Sequence, residues 1–288
     1  MTTAARWAFP VLWATLPLSA GPTLAEGLDP TSSGFRTSTS VGLWLVWIVV
    51  LAAALVPRSV TLTPVRVVAP AAVVAVAWAI AAQPGTEGVD VLALTASVAA
   101  AAVSLTAWVG DVFVDGDSYG DERRLLLRVP GPLLLGPVPL AWAVLVAGVA
   151  AGPLLVAAAS PVAGLVLLAI GWPLAFFAAR ALHGLTQRFL VFVPGGMVVH
   201  DLTALAQPFL LRRGRVVAMG LAPKGTDALD LTRNALGKAL EVRLAEPETL
   251  PVVTKAGSRA EDVQTSALLV APSRPGAVLT EAKARRLA

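Results

Sequence analysis

Five apolar runs leave this chain few ways to fold. Ser38–Val56, Val65–Ala82, Val89–Val109, Pro132–Ala151 and Pro161–Leu182 are almost free of charge: Arg66 and Asp90 stand at the starts of their runs and Arg180 near the end of its own. As helices rising 1.5 Å per residue, each can reach across a hydrocarbon core of about 30 Å. Apolar residues make up 56% of the sequence and charged ones 14%, against about 25% charged in soluble domains. The predicted fold class is an α-helical membrane bundle of five spans plus an N-terminal signal peptide or sixth span. A small antiparallel β-rich domain with a C-terminal helix follows it.

Residues 1–25 have Arg6 ahead of an apolar core, Trp7–Leu18, and end in the small-residue stretch Ser19–Ala25. Two readings stand: a signal peptide cleaved after Ala25, or a retained first transmembrane helix. The shortness of the core favours cleavage. Residues 26–37 are predicted to be an external loop, 38–182 a transmembrane helical domain, and 183–288 a cytoplasmic β-rich domain. Arg58 and Arg66, then Arg123, Arg124 and Arg128, then Arg180 and Arg188 mark one side of the membrane. The intervening loops carry no basic residue apart from Arg36 in the first. The excess of arginine is predicted to face the cytoplasm, which places a multi-pass protein in the inner (plasma) membrane with its C-terminal domain inside. Trp44, Trp47, Trp78 and Trp108 are expected near span ends, with Trp142 and Trp172 deeper.

Charge is unevenly divided. Residues 1–182 hold eight arginines against nine acids; residues 183–288 hold ten arginines and four lysines against nine acids. The net charge of +4 therefore belongs to the C-terminal domain. There, Arg188–Val193 and Met197–Asp201 flank Gly195–Gly196, a two-residue hairpin signal. Phe209–Leu211 and Arg215–Leu221 flank a basic turn. Asp227–Arg233 and Lys238–Leu244 alternate with period two across an Asn-Ala-Leu-Gly turn, and Ser266–Ala271 is a further strand. Glu246–Asp262 is expected as loop and Gly276–Leu287 as an amphipathic helix. About six short strands and a closing helix make a compact antiparallel sheet or partly open barrel.

A pair of spans feeding a hairpin, further short strands and a final helix resembles the bacterial pleckstrin-homology-like domains that follow membrane anchors, over Arg180 to Ala288. YGDERR (Tyr119–Arg124), FVPGGMVVHD (Phe192–Asp201) and APSRPGAVL (Ala271–Leu279) resemble segments of uncharacterised multi-pass membrane proteins of actinobacteria. That resemblance implies the architecture and no activity.

The absence of cysteine excludes disulfides and thiolate chemistry. No charge is expected at mid-membrane, which argues against a proton relay. Asp115–Glu122 partly echoes a calcium loop, but Tyr119 and Leu126 stand where ligands are required. It is expected instead to be a cytosolic turn whose acids pair either with its own arginines or with the C-terminal domain, Asp121, Glu122, Arg123 and Arg124 making the interdomain contacts in the second case. His183 and His200 lack metal-site spacing. Arg212, Arg213 and Arg215 form the densest basic patch and are the predicted lipid- or partner-binding residues. No catalytic, metal or cofactor residue is assigned. The expected partners are the lipid bilayer and a protein docking on residues 186–288, with no nucleic acid, because the patch has no interleaved aromatics. The function expected is non-enzymatic assembly or regulation; the alternative is a transporter or membrane-enzyme subunit whose site is shared with another chain.

Overall fold

A computed structural model describes residues 3–253 and 260–287, with side chains from Arg6 onward. The chain divides into two units. One runs to Phe113 and resumes over Pro139–His183; the other takes Val114–Val138 and Gly184 onward. The domain boundary expected near residue 182 is therefore incomplete: the loop expected between two spans belongs to the β-rich unit.

The helical unit contains α1 (Thr3–Ser19), α2 (Gly21–Leu28), α3 (Ser33–Leu55), α4 (Ser59–Ala81), α5 (Gly88–Ser104) and α6 (Ala107–Asp115). α7 (Gly131–Leu134) falls within the other unit, and α8 (Pro137–Ala157) and α9 (Pro161–Thr186) follow, most of each belonging to the helical one. Among the described residues four stretches are long and apolar enough to cross a membrane: α3, α4, Gly131–Ala157 and α9. A fifth exists if α5 and α6, bent by 58° at their junction, count as one span.

Local chemistry sets several helix ends. Ser32 Oγ accepts from the Phe35 N–H at the start of α3, 3.4 Å. Asp90 Oδ2 accepts from the Glu87 N–H at the start of α5, 2.9 Å, so a third-position carboxylate satisfies a donor outside the first turn. α8 and α9 pack through glycines. A Cβ on Gly148 would lie 2.6 Å from Gly171 O, and one on Gly152 would lie 2.6 Å from Leu168 Cγ. This is the small-residue packing that lets backbones approach in membranes.

Residues 3–28 pack into the bundle. Phe9 and Trp13 of α1 and Thr23, Gly27 and Leu28 of α2 are buried. Trp13 and Trp47 exchange indole hydrogen bonds, each Nε1–H donating to the other's carbonyl at 3.0 and 2.9 Å. Thr23 Oγ1 donates to the fully buried Asp90 Oδ1, 2.8 Å, and Gln83 Nε2 donates to Thr23 O, 3.0 Å. The expected loop over residues 26–37 is largely helical. Because α3 starts at Ser33, Trp44 and Trp47 fall mid-helix, not at its end. Trp142 finds a partner in Val67 O, 2.9 Å, whereas Trp172 is exposed.

α4 likewise starts earlier than expected. Arg66 is thus about 10 Å along the helix at 1.5 Å per residue. Its Nε and Nη2 donate to Ser104 O and Thr106 O, both 3.4 Å, across the α5–α6 break. Ser104 O is among the last carbonyls of α5, which lack partners within the helix, and Thr106 O also accepts the Gly110 N–H at the start of α6, 3.2 Å. Asp111 of α6 is fully buried. The span ends are therefore more polar than the sequence reading allowed.

The second unit holds two four-stranded sheets. β1 (Arg123–Leu126), β2 (Phe189–Val193), β3 (Gly196–His200) and β4 (Phe209–Arg212) form an antiparallel sheet in that order. β5 (Val216–Leu221), β6 (Leu229–Asp230), β7 (Leu240–Val252) and β8 (Glu261–Val270) form the other in the order β5-β7-β8-β6, with β6 and β8 parallel. The expected hairpin across Asn-Ala-Leu-Gly does not form: β6 and β7 are not neighbours. The loop expected over Glu246–Asp262 is mostly strand at its two ends, with residues 254–259 outside the described part. α10 (Pro275–Ala284) closes the unit. One core joins both sheets and α10, with Leu125, Leu190, Phe192, Leu240, Leu268 and Val278 among its buried members. Burying each such Leu, Phe or Val contributes about 1.5–3 kcal/mol. Leu125 and Leu127 belong to this core, so β1 is integral to it.

Candidate anion-binding cleft

Three local structures in the β-rich unit converge on one open cleft of about 600 Å³, lined by Asp121, Pro194, Arg213, Glu281, Arg285 and Arg286. The first is the β2–β3 turn. Val193 pairs with Gly196, so the two-residue loop is Pro194–Gly195 and Gly196 opens β3. Gly196 has φ +154°, and a Cβ there would lie 2.1 Å from Leu211 O. Only glycine lets β4 approach so closely.

The second is a 3₁₀ turn over Arg213–Arg215, directly after β4. The Arg213 N–H donates to Gly195 O, 2.9 Å, and its Nη2 donates to Pro194 O, 3.1 Å. Main-chain carbonyls thereby orient one guanidinium, whose Nε and Nη1 have no partner among the described residues.

The third is the end of α10. The Arg286 N–H donates to Lys283 O, 3.0 Å, and the Leu287 N–H donates to Ala282 O, 2.9 Å. This is a Schellman arrangement with Arg286 in the left-handed position, at φ +53°. Glycine is usual there, and a residue with a Cβ costs about 1–2 kcal/mol in that conformation. Leu287 is buried and anchors the turn, leaving Arg286 exposed. Arg285 donates from Nε to Glu281 Oε1 and from Nη2 to Asp121 O, both 2.6 Å. Glu281 is thus compensated within the cleft, while Arg286 has no ion pair among the described residues.

The cleft therefore offers oriented guanidinium donors and one exposed carboxylate, Asp121. Guanidinium groups match oxyanions through paired, charge-assisted hydrogen bonds.

The residues singled out in the sequence separate. Arg213 and Asp121 meet in the cleft. Arg212 is exposed at the end of β4 and does not line it. Arg215 forms ion pairs with Glu246 and, at 3.6 Å, with Glu248, so its charge is largely spent. Glu122, Arg123 and Arg124 lie within the β-rich unit itself, so the contacts expected to join two domains are internal to one. Arg123 pairs with Asp115, and Arg124 Nη2 donates to Glu122 Oε2, 3.1 Å. Asp115 Oδ1 also accepts from Ser118 Oγ, 3.1 Å, and from the Arg124 N–H, 2.9 Å. The calcium-like acids are therefore used in turn formation and ion pairing. Arg124 also lies over the Phe189 ring at 5.5 Å, and that ring stacks on His200 at 4.6 Å. His200 Nδ1 is 2.7 Å from Gln187 O, and His183 Nδ1 is 3.0 Å from Thr63 Oγ1. Among the described residues no three potential metal ligands cluster.

Sequence reasoning missed Arg285 and Arg286. The Lys283-Ala-Arg-Arg run was visible at the helix end, but its meeting with Arg213 depends on the approach at Gly196.

Comparisons with protein families, with curated proteins and with solved structures return no match.

Proposed function

We propose that this is a non-enzymatic multi-pass membrane protein whose β-rich domain faces the cytoplasm and binds anionic lipid headgroups or a partner protein in an assembly or regulatory role. The observation that carries the reading is the cationic surface of the β-rich unit: Arg212 and Arg213 are exposed, and Arg213 shares a cleft with Arg285 and Arg286. Basic residues near an anionic leaflet contribute about 1 kcal/mol each. The helices long enough to span, together with the arginine-rich loops, support insertion in the plasma membrane with this domain inside.

Orientation is testable directly, because the chain has no cysteine. A single cysteine at Tyr119 should resist a membrane-impermeant maleimide in intact cells, and one at Thr31 should react. The opposite pattern would overturn the orientation. For the binding role, the full chain in phosphatidylcholine nanodiscs should be captured by vesicles containing anionic lipid and not by neutral ones. Arg212→Glu with Arg213→Glu should abolish capture; equal capture by both vesicle types would refute the headgroup reading.

The α5–α6 break with Arg66 and Asp111 supports a second reading, a transporter or membrane-enzyme subunit whose site is shared with another chain. Bent helices and ionisable groups at membrane depth are features of substrate pathways. Substrate-dependent thermal shifts of the full chain that disappear in Asp111→Asn would favour this reading.

A further inference from the structure

The structure assigns the cleft at the end of α10 as a specific site for a phosphoryl group, with Arg286 as its principal unpaired donor and Arg213 and Arg285 beside it. This rests on the anion-binding role proposed above and narrows it from a charged patch to one site.

Two independent observations meet here. Backbone carbonyls pre-set two of the three guanidinium groups: Pro194 O holds Arg213 Nη2, and Asp121 O holds Arg285 Nη2. Arg213 keeps Nε and Nη1 available, and Arg285 keeps Nη1, among the described residues. Less conformational freedom is then lost when an anion arrives. Secondly, Arg286 occupies a left-handed position where glycine would be at ease, and its side chain makes no ion pair among the described residues. A strained residue with no structural partner is a reason to look for a ligand. Asp121 is the opposing charge. It is solvent-exposed, where water and salt screen it, and Glu281 is already paired with Arg285. A phosphate presents several oxygens to the two or three forks, which a single carboxylate cannot do. A lipid headgroup and a soluble phosphate ester share this chemistry.

The test uses the full chain in detergent. Dioleoyl phosphatidate is the lipid probe, phosphatidylcholine its control and glycerol 3-phosphate the soluble probe. Arg286→Gly should keep or raise the Tm, because glycine relieves the left-handed strain, yet bind phosphatidate about tenfold more weakly. Arg213→Gln should weaken binding to a similar degree. Arg215→Gln, already committed to Glu246 and Glu248, should stay within about twofold of wild type. Binding of both probes would identify the phosphoryl group as sufficient; binding of phosphatidate alone would identify a lipid headgroup. The assignment is overturned if Arg286→Gly binds like wild type, or if Arg215→Gln loses as much as Arg213→Gln. Vesicle capture that persists while Arg286→Gly leaves affinity unchanged would sink the cleft and spare the broader reading. A tenfold effect of Arg286→Gly on glycerol 3-phosphate without any vesicle capture would do the reverse.

Discussion

Arg188 and Asp201 bracket the β2–β3 hairpin and meet in a buried bidentate ion pair, Nε to Oδ1 at 2.9 Å and Nη2 to Oδ2 at 2.7 Å. Their side chains are 2% and 1% exposed. Arg188 Nη1 also donates to Arg128 O, 2.6 Å, and Asp201 Oδ1 accepts from the N–H and Oγ1 of Thr203 at 3.0 and 2.6 Å. The pair thus ties the segment after β1 to the hairpin and to the loop behind it. Removing one partner strands a buried charge. Arg188→Met or Asp201→Leu alone should destabilise the β-rich unit by about 3–5 kcal/mol, and the double replacement should recover part of that loss. Denaturant unfolding followed by hydrogen exchange in β2 and β3 measures both. A double variant as unstable as the sum of the singles would show that stranded charge is not the cause.

Gly196→Ala should destabilise the same unit by about 1–3 kcal/mol, since the added methyl meets Leu211 O and the backbone is strained for any other residue. Gly195→Ala is the control, because its Cβ would meet nothing within 4 Å. Equal melting temperatures for the two variants would refute the close-approach argument.

Glu241 is buried on β7, where the Thr226 hydroxyl donates to Oε2 and Arg243 Nε to Oε1, 2.6 and 2.5 Å. The Thr226 hydrogen bond first, and Arg243 second, hold its carboxyl below the ordinary value. A depressed carboxylate stabilises the fold fully above its unfolded pKa of about 4.3 and loses that contribution as pH falls through the lower folded value. Stability of the wild type should therefore drop on acidification below about pH 4.3 more steeply than that of Thr226→Val. Parallel pH profiles would refute the assignment.

Arg66→Leu removes the side-chain donors from Ser104 O and Thr106 O. Hydrogen exchange over residues 103–110 should rise, with a cost of about 0.5–1.5 kcal/mol for each hydrogen bond lost. Arg66→Lys, which keeps a cationic donor on the same face, should retain part of the protection. Unchanged exchange in the single variant would show that Arg66 does not hold the break.

Cleavage after Ala25 would remove Thr23 from the buried Asp90, and Phe9 and Trp13 from the bundle. A buried carboxylate that loses its donor costs about 1–3 kcal/mol or more, before the lost apolar packing is counted. The purified protein should accordingly retain residues 3–28, which intact-mass measurement reads directly. Recovery of a stable protein beginning at Glu26 would contradict the packing.

What could be read from sequence follows from how local each signal is. Lipid imposes composition over whole segments, so α8 and α9 stand out without any knowledge of their neighbours. The β2–β3 hairpin was legible because Pro194, Gly195 and Gly196 concentrate turn chemistry between two apolar runs. β1 was not, since Arg123 and Arg124 look like the charged flank of a loop and its partner β2 lies far along the chain. β6 and β7 show why period two is insufficient: alternation predicts an extended strand but not the strand beside it. Pro247 and Pro251 disguised β7, whose ladder shifts register between Arg243 and Glu248. The cleft was half legible, as Arg213 and the Lys283–Arg286 run are local features and their meeting is not.

The sheet that joins β1 to β2 also imposes an order on synthesis. Roughly 60 residues separate these strands, which is roughly 3–12 s of translation. The ribosome makes α8 and α9 during that delay, so β1 waits unpaired until both helices have been synthesised. Until β2 arrives, Leu125 and Leu127 lack the neighbours that bury them, so the core of the β-rich unit is completed only by a segment made after both helices.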